Sequence, residues 1–237
     1  MFIDPEILAD DLDRLEGIEK GSLRLVSQAL YDFRKTAAEI FQKEKDLAAD
    51  IGEDITREAL ERIGVSKIDV RLFGKIDYKK ARYVFNREYA IRQALFVDSK
   101  AEKIEGQATA TLQTAQTSMR IRHVRSRRQV DVPGKLPVVI PTEKGKCLTT
   151  TIFVKYNYAA SATGNRLVGI TAAALPNGML QERYNPTAPD TIWRAGRDAP
   201  TLGEAFRVRL VFDLLKRKAN WRVQRIPMTP QSFVWED

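Results

Sequence analysis

Residues 94–100 have the sequence ALFVDSK, in which four apolar residues lead into an aspartate, a serine and a lysine. A short apolar run that ends in charge indicates a buried β-strand. Residues two apart on a strand face the same side of the sheet, so Asp98 and Lys100 are expected to point together. The segment therefore predicts a central strand of an α/β fold that delivers a carboxylate and an ammonium group to one site.

A second aspartate, Asp77, ends the short segment GKID at residues 74–77. Two aspartates on neighbouring strands can hold Mg²⁺, which prefers hard oxygen ligands. The bound ion lowers the pKa of its water and neutralises charge on a phosphate under attack, and a lysine can orient or help to deprotonate that water. Asp77, Asp98 and Lys100 are therefore the candidate catalytic residues. The alternative is that Asp98 and Lys100 form a surface ion pair of little consequence, as most D-x-K tripeptides do.

Cysteine and histidine are scarce, with one of each, Cys147 and His123, among 237 residues. This scarcity excludes a disulfide framework, a zinc finger and an iron–sulfur site. His123 lies among arginines, where it is a poor candidate for the base of a Ser-His-Asp triad. The sequence has no apolar run of membrane-spanning length, and its first residues are acidic, unlike a signal peptide, so we expect a soluble, cytoplasmic protein. If it is an enzyme, carboxylates and lysines must carry out the chemistry.

Up to residue 64, apolar residues recur at helical spacing. Asp4-Pro5 is expected to start the first helix, with a capping aspartate followed by proline at the first helical position. Gly21-Ser22 is expected to break this helix and begin a longer one. A third helix is expected over about Glu53 to Ile63, ending at Gly64.

Beyond residue 64 the periodicity changes to that of β-strands. Besides the run at 94–97, strands are expected around 70–72 and 76–78, and over 150–158, 167–175, 206–212 and 221–223. Two segments rich in Thr, Pro, Gly and Arg, 105–147 and 176–204, are interpreted as loops. Together these patterns predict one domain over residues 1–237, with a helical layer (1–64) and a core (65–237) for catalysis and recognition.

The net charge of +8 fits a polyanionic partner such as nucleic acid, although many basic proteins bind none. The densest cluster of basic residues either contacts phosphates or approaches the minor groove, or it is a solvated loop. It comprises Arg120, Arg122, Arg125, Arg127 and Arg128.

Arg207 and Arg209 are better placed to contact bases. On a strand they share one face, while Phe206, Val208 and Leu210 pack on the other. Arginine is the preferred bidentate partner of guanine. The alternative is two surface arginines on a half-buried strand. Two further candidates, Arg194 and Arg197, lie in a loop of the kind that can reach a DNA groove.

The chain resembles the SfiI-like type II restriction endonucleases of the PD-(D/E)xK superfamily. The resemblance follows ordered blocks over most of the chain. The blocks include QALYDF (28–33), EDIT (53–56), IDYKKARY (76–83) and VDSKA (97–101). The later matches are the most distinctive, and they include RYNP (183–186), RVR (207–209) and WR (221–222). The proline that usually precedes the first aspartate is absent, since Ile76 stands there, and residues 103–128 match poorly.

This resemblance implies a restriction-endonuclease-like core, a mixed central sheet flanked by helices. It implies Mg²⁺ as cofactor, held by Asp77, Asp98 and the main-chain carbonyl of Ser99. It also implies cleavage of double-stranded DNA at a GC-rich interrupted palindrome by a homodimer or homotetramer. A cognate DNA methyltransferase is expected in the same prokaryotic system, without being bound.

The sequence leaves two alternatives open. Glu53, Asp54 and Glu61 could add a carboxylate to the active site, or could cap and charge the surface of the third helix. The chain could also be a repair or junction-resolving nuclease of the same superfamily, or a basic DNA-binding protein without catalytic activity.

Overall fold

The N-terminal part of the computed structural model consists of a 3-10 helix (Pro5–Ala9) and two α-helices, α1 (Leu12–Lys43) and α2 (Ala48–Arg62). Asp4 caps the first turn as predicted, since its carboxylate accepts a hydrogen bond from the Glu6 amide at 3.0 Å. The predicted break at Gly21-Ser22 is wrong. Helix α1 continues because the buried Ser22 hydroxyl bonds to the Ile18 carbonyl (3.1 Å) and to the Gln93 side chain (3.0 Å).

The structure describes residues 2–43, 48–63, 81–86, 90–104, 108–143, 145–162, 164–196, 207–228 and 232–237. The strands predicted at 70–72 and 76–78 lie outside these ranges. No helix of the described ranges is long and apolar enough to cross a membrane.

Eleven strands follow in the described ranges. They are β1 (Ala81–Asn86), β2 (Ile91–Lys103), β3 (Thr109–Leu112), β4 (Ile121–Arg125), β5 (Arg128–Val132), β6 (Val139–Thr142), β7 (Gly145–Ser161), β8 (Gly164–Leu175), β9 (Trp193–Ala195), β10 (Val208–Val211) and β11 (Val223–Pro227). Two short α-helices, α3 (Gln181–Tyr184) and α4 (Phe212–Lys218), follow β8 and β10 respectively.

The central sheet is mixed and has the strand order β1-β2-β7-β8-β11, with β6 also paired to β7. Strands β2 and β7 are parallel, and the other pairs are antiparallel. A second sheet has the order β3-β10-β9, and β4 pairs with β5 in a hairpin. The predicted mixed α/β architecture with flanking helices is confirmed.

Successive residues of the central strands pack into two different cores. In β7, Ile152 and Val154 join a cluster with α1 and α2, whereas Phe153 joins a second cluster that includes residues of β3, β9 and β10. The first part of α1 contributes to the second cluster through Leu15 and Ile18. The helices therefore cover one face of the sheet, and the three-stranded sheet packs against the other.

The segments interpreted as loops contain short strands instead. Strands β3 to β6 fall within 105–147, and β9 and α3 fall within 176–204. Their strands are short and partly exposed, so they lack a strong alternating pattern. The β4–β5 hairpin turns at Ser126-Arg127 with φ of 46° and 63°, a conformation that Asn or Gly more often marks.

The two predicted C-terminal strands are present, but their bounds differ from those expected. Within the segment predicted as a strand at 206–212, Val208–Val211 form β10, Phe212 begins α4, and Phe206 lies outside the described residues. The strand predicted at 221–223 begins only at Val223, because Asn220–Arg222 form a 3-10 turn.

A buried ion pair connects helix α1 to this turn. Arg222, fully buried, pairs with Glu19 at 2.7 Å, and its guanidinium lies 4.2 Å from the centre of the Tyr184 ring. Glu19 also accepts a hydrogen bond from the Asn177 amide at 2.7 Å. Burial raises the pKa of Glu19, and the positive charge of Arg222 opposes that shift. The pair therefore fixes three distant parts of the chain at one point.

We expect Arg222→Ala to lower the free energy of unfolding by about 3–5 kcal/mol, because it leaves Glu19 buried without its cation. Urea denaturation followed by circular dichroism would measure this. The matched control is Arg225→Ala. Arg225 pairs with Asp213 at 3.3 Å, and both side chains are mostly exposed, so its loss should cost less than about 1 kcal/mol. Equal losses for the two variants would contradict the assigned role of the buried pair.

Candidate active site

The structure brings the predicted pair together on strand β2. Lys100 Nζ lies 3.0 Å from Asp98 Oδ2. Asp98 is 8% exposed, whereas the Lys100 side chain is 35% exposed. The two side chains are on the face of β2 that looks toward Phe153 of β7, whose ring centre is 5.6 Å from Nζ. The pair is thus a largely desolvated carboxylate beside a solvent-accessible ammonium group, unlike an ordinary surface ion pair.

Ser99 points to the opposite face and fixes the strand to helix α2. Its hydroxyl donates to Thr56 Oγ1 at 2.7 Å, and Thr56 donates to the Gly52 carbonyl at 3.0 Å. The hydroxyl of Tyr156 on β7 lies 2.8 Å from the same Thr56 oxygen. Burial raises the pKa of Tyr156, so the phenol stays protonated. Three buried hydroxyl groups therefore hold β2, β7 and α2 together directly behind Asp98 and Lys100.

Gly52 allows helix α2 to come this close. A Cβ atom at this position would lie 3.1 Å from the Tyr156 ring and 3.4 Å from the Ala101 amide nitrogen. Contacts of that length are tighter than most side chains tolerate. The glycine therefore sets the distance between the helix and the strand that carries the candidate residues.

The acidic residues of α2 lie away from this pair. Glu53, Asp54 and Glu61 are exposed, and Asp54 pairs with Arg57 at 2.6 Å. Helix α2 packs through Ile51 and Ile55 on the face of β2 opposite to Asp98 and Lys100. This arrangement favours the surface-charge interpretation of the three carboxylates.

Two further charged residues, which the sequence analysis did not single out, adjoin the pair. Lys155 of β7 lies opposite Lys100 in the parallel register. Its Nζ forms an ion pair with Glu102 Oε2 at 2.7 Å and donates a hydrogen bond to the Thr109 carbonyl. Burial lowers the pKa of Lys155, which is fully buried, while the hydrogen bond and charge of Glu102 raise it. A lone lysine inside the apolar run TTIFVKYNY was the signal available in the sequence.

Not every predicted metal ligand lies within the described part of the chain. Asp77 lies outside it. Arg197, a candidate for DNA contact, also lies outside it. Within the described ranges, no three acidic, histidine or cysteine side chains form a metal-binding cluster. Asp98 is accordingly the predicted carboxylate ligand that the structure describes, and the Ser99 carbonyl follows it in the same strand.

The strand arginines fall on the second sheet. Arg209 of β10 pairs in register with Arg194 of β9, and both are exposed. Val208 and Leu210 are buried on the other face of β10, as the alternation predicted. Arg207 precedes β10 and is partly buried, and its carbonyl accepts a hydrogen bond from the Gly196 amide at 2.9 Å. Arg194 and Arg209 therefore place two positive charges side by side on the exposed face of the second sheet.

The arginines of the β4–β5 hairpin differ in their surroundings. Arg120 and Arg122 both pair with Asp131, at 2.8 Å and 3.4 Å, and Arg122 also pairs with Glu182. Arg125 is partly buried next to the turn, whereas Arg127 and Arg128 are exposed at its tip. Charge density alone did not distinguish the arginines that already have acidic partners from those that face solvent.

Asn185, in the RYNP block, holds this hairpin in place and was also missed. Its side chain accepts a hydrogen bond from the Arg122 amide (2.8 Å) and donates to the Arg122 carbonyl (2.9 Å). An asparagine thus bonds to the backbone of β4 as a neighbouring strand would. His123, on the same strand, is buried, and burial lowers its pKa.

The chain is similar to known proteins in both sequence and structure. Residues 21–226 match the family model of the type II restriction enzyme SfiI. The type II restriction enzyme SfiI of Streptomyces fimbriatus is 33% identical over 239 residues, which cover 93% of this chain and 87% of the relative.

Two solved structures are similar. Tetrameric restriction endonuclease SfiI bound to cognate DNA has a TM-score of 0.82 at 31% identity, over 98% of this chain and 90% of that chain. Restriction endonuclease BglI bound to its DNA recognition sequence has a TM-score of 0.76 at 17% identity, over 94% of each chain. The likeness to BglI concerns the fold alone. These matches confirm the restriction-endonuclease-like fold.

We expect Thr56→Val to lower the free energy of unfolding by about 1–3 kcal/mol, because it leaves buried hydroxyl groups without their common partner. Guanidinium denaturation would measure the change. The control is Thr142→Val, since Thr142 bonds to the Gly145 carbonyl at the exposed start of β7 and should contribute less than about 1 kcal/mol. A Thr56 variant as stable as the wild type would rule out the hydroxyl cluster as the anchor of β2.

Proposed function

Since this chain belongs to the SfiI family of type II restriction enzymes, which are site-specific deoxyribonucleases, we propose that it uses Mg²⁺ to cut both strands of DNA at a GC-rich, interrupted palindrome. The observation that carries this proposal is the pairing of Asp98 with Lys100 on one face of β2. A desolvated carboxylate suits a hard metal ion, and an adjacent ammonium suits a water or a phosphate oxygen.

Enzymes of this class generally need a divalent metal ion. We assign Asp77, Asp98 and the Ser99 carbonyl as its ligands, since all three are hard oxygen donors. Strand β1 begins at Ala81, opposite Phe96 of β2. Four residues of extended chain span at most about 14 Å, so connectivity allows Asp77 to reach Asp98. When bound, Mg²⁺ supplies positive charge to the phosphate and acidity to a water.

Side chains of the protein supply the other functions of the proposed active site. Lys100 orients the attacking water and holds a proton at Nζ, and Asp98 keeps that ammonium in place. The hydroxyl cluster behind β2 holds both side chains in position as the phosphate approaches, which limits the reorganisation that the reaction requires.

Recognition is assigned to the second sheet. Arg194 and Arg209 lie side by side, so each can donate two hydrogen bonds to guanine O6 and N7. We keep Arg207, and Arg197 on the sequence pattern, as further candidates for the same role. Arg125, with Arg127 at the hairpin tip, is assigned to phosphates. Arg120 and Arg122 are weaker candidates for DNA contact because Asp131 already pairs with both.

Cutting both strands of a palindrome requires two active sites related by a two-fold axis. We therefore propose a homodimer or a homotetramer. The similar SfiI structure is described as tetrameric and bound to cognate DNA, which supports a tetramer. A methyltransferase that modifies the same site is expected in the same prokaryotic cell, where both proteins would act in the cytoplasm.

We expect Asp98→Asn and Lys100→Met each to lower the cleavage rate by roughly a hundredfold or more, because they remove groups that act on the reacting phosphate and water. Binding to the cognate duplex should change much less. Plasmid DNA incubated with Mg²⁺ would measure cleavage, and sequencing of the fragment ends would give the site.

The control is Asp213→Asn, an exposed carboxylate on α4, which should leave cleavage unchanged. Discrete fragments from wild-type protein, absent with chelator, support a restriction enzyme. Nicking that depends on DNA structure would instead indicate a repair or junction nuclease. Retardation of DNA without cleavage would indicate a DNA-binding protein that is not an enzyme.

We expect Arg209→Ala to weaken binding of the cognate duplex by roughly ten- to a hundredfold while binding of scrambled duplex falls much less. Arg127→Ala provides the comparison. It should weaken both complexes alike and lower the salt slope by about one unit. Titrations of both duplexes at two salt concentrations would measure these effects. Equal losses on the two duplexes for Arg209→Ala would reassign Arg209 to phosphate contact.

A further inference from the structure

Three charged side chains follow one another along the same face of β2. Asp98, Lys100 and Glu102 are spaced two residues apart, so Lys100 lies between two carboxylates. The structure pairs Lys100 with Asp98 at 3.0 Å and pairs Glu102 with Lys155 at 2.7 Å. Each carboxylate thus has its own ammonium partner.

We propose that Lys155 is a positioning residue, which holds Glu102 away from Lys100 and so leaves the Lys100 ammonium directed to Asp98. This inference rests on the proposed function of Asp98 and Lys100. Without Lys155, Glu102 still has Lys100 two residues away on the same face of β2, so Asp98 and Glu102 then compete for one ammonium group. A Lys100 shared between two carboxylates is displaced from the water that it orients.

The surroundings of Lys155 support this role. Its side chain is fully buried, whereas the Glu102 side chain is 35% exposed, so Lys155 is the fixed member of the pair. Its ammonium also donates to the Thr109 carbonyl of β3, in the sheet that carries Arg209. The charges of Arg209 and Lys100 each contribute to lowering the pKa of Lys155, so Lys155 lies within electrostatic reach of both.

A buried lysine is not needed for stability alone. Replacing a buried ion pair with neutral groups of similar size is often neutral or stabilising. Lys155→Met removes the charge and keeps the length of the side chain. Glu102→Gln removes the competing negative charge and keeps an acceptor oxygen. Comparing the double variant with Lys155→Met therefore shows whether Lys155 affects the cleavage rate through the charge of Glu102 or through packing.

The experiment measures single-turnover cleavage at saturating cognate DNA, below the melting temperature of every variant. We expect Lys155→Met to slow cleavage by roughly ten- to a hundredfold, with cognate affinity within about threefold of wild type. Glu102→Gln should cut nearly as fast as wild type, and the double variant should recover most of the lost rate. Lys146→Met, on the same strand but paired with Asp4 at its exposed end, should have no effect.

A second readout does not depend on activity. In protein labelled with ¹⁵N-lysine, the ammonium signal of Lys100, assigned by its loss in Lys100→Met, should shift in Lys155→Met and return in the double variant. If Lys155→Met does not fold, Lys155→Gln takes its place, because Gln also removes the charge.

The outcomes separate the two proposals. A double variant as slow as Lys155→Met, or Lys155→Met at the wild-type rate, would overturn the positioning role. If the wild-type protein cuts no DNA with Mg²⁺, the proposed function fails. The ammonium signal of Lys100 then tests the positioning role of Lys155 by itself. A shifted and then restored signal supports the role of Lys155, whereas an unchanged signal overturns it.

Discussion

The contact between Ser99 and Thr56 is the constraint on which the site depends. A strand that carries polar groups on one face must be held firmly by the other, and here a buried hydroxyl rather than a methyl group provides the attachment. The bond is directional, so it fixes the strand along its axis as well as against the helix. Gly52 makes the contact possible because it lets the backbone of α2 approach β2.

Two ion pairs, each with a fully buried cation, extend this arrangement to the rest of the molecule. Glu19 with Arg222 connects α1 to the turn before β11, and Glu102 with Lys155 connects β2 to β7 and β3. Burying charge is unfavourable unless the partners satisfy each other, so each pair is sensitive to the loss of one member. Both pairs occur where elements that are distant in sequence meet, which makes the relative position of those elements dependent on a few atoms.

The features that could be predicted were those set by neighbouring residues. Strand β2 and its paired Asp98 and Lys100 followed from an apolar run that ends in charge, and the buried face of β10 followed from alternation. Features that depend on distant partners could not be predicted. Helix α1 continues through Ser22 because Gln93 accepts a hydrogen bond from the Ser22 hydroxyl. The buried position of Lys155 likewise depends on its contacts with Glu102 and Thr109. The hairpin arginines show the same limit, since Asp131 neutralises some of them and not others.

The alternation along β2 has a consequence for how this chain can change during evolution. Val97 and Ser99 belong to the packed face, and Asp98 and Lys100 belong to the face that carries the candidate site. Inserting or deleting a single residue within the strand would exchange the two faces, since side chains alternate with a period of two. It would bury two charges against α2 and place apolar groups on the face that carries the candidate site. The strand can therefore accept changes of residue type far more readily than any change of length.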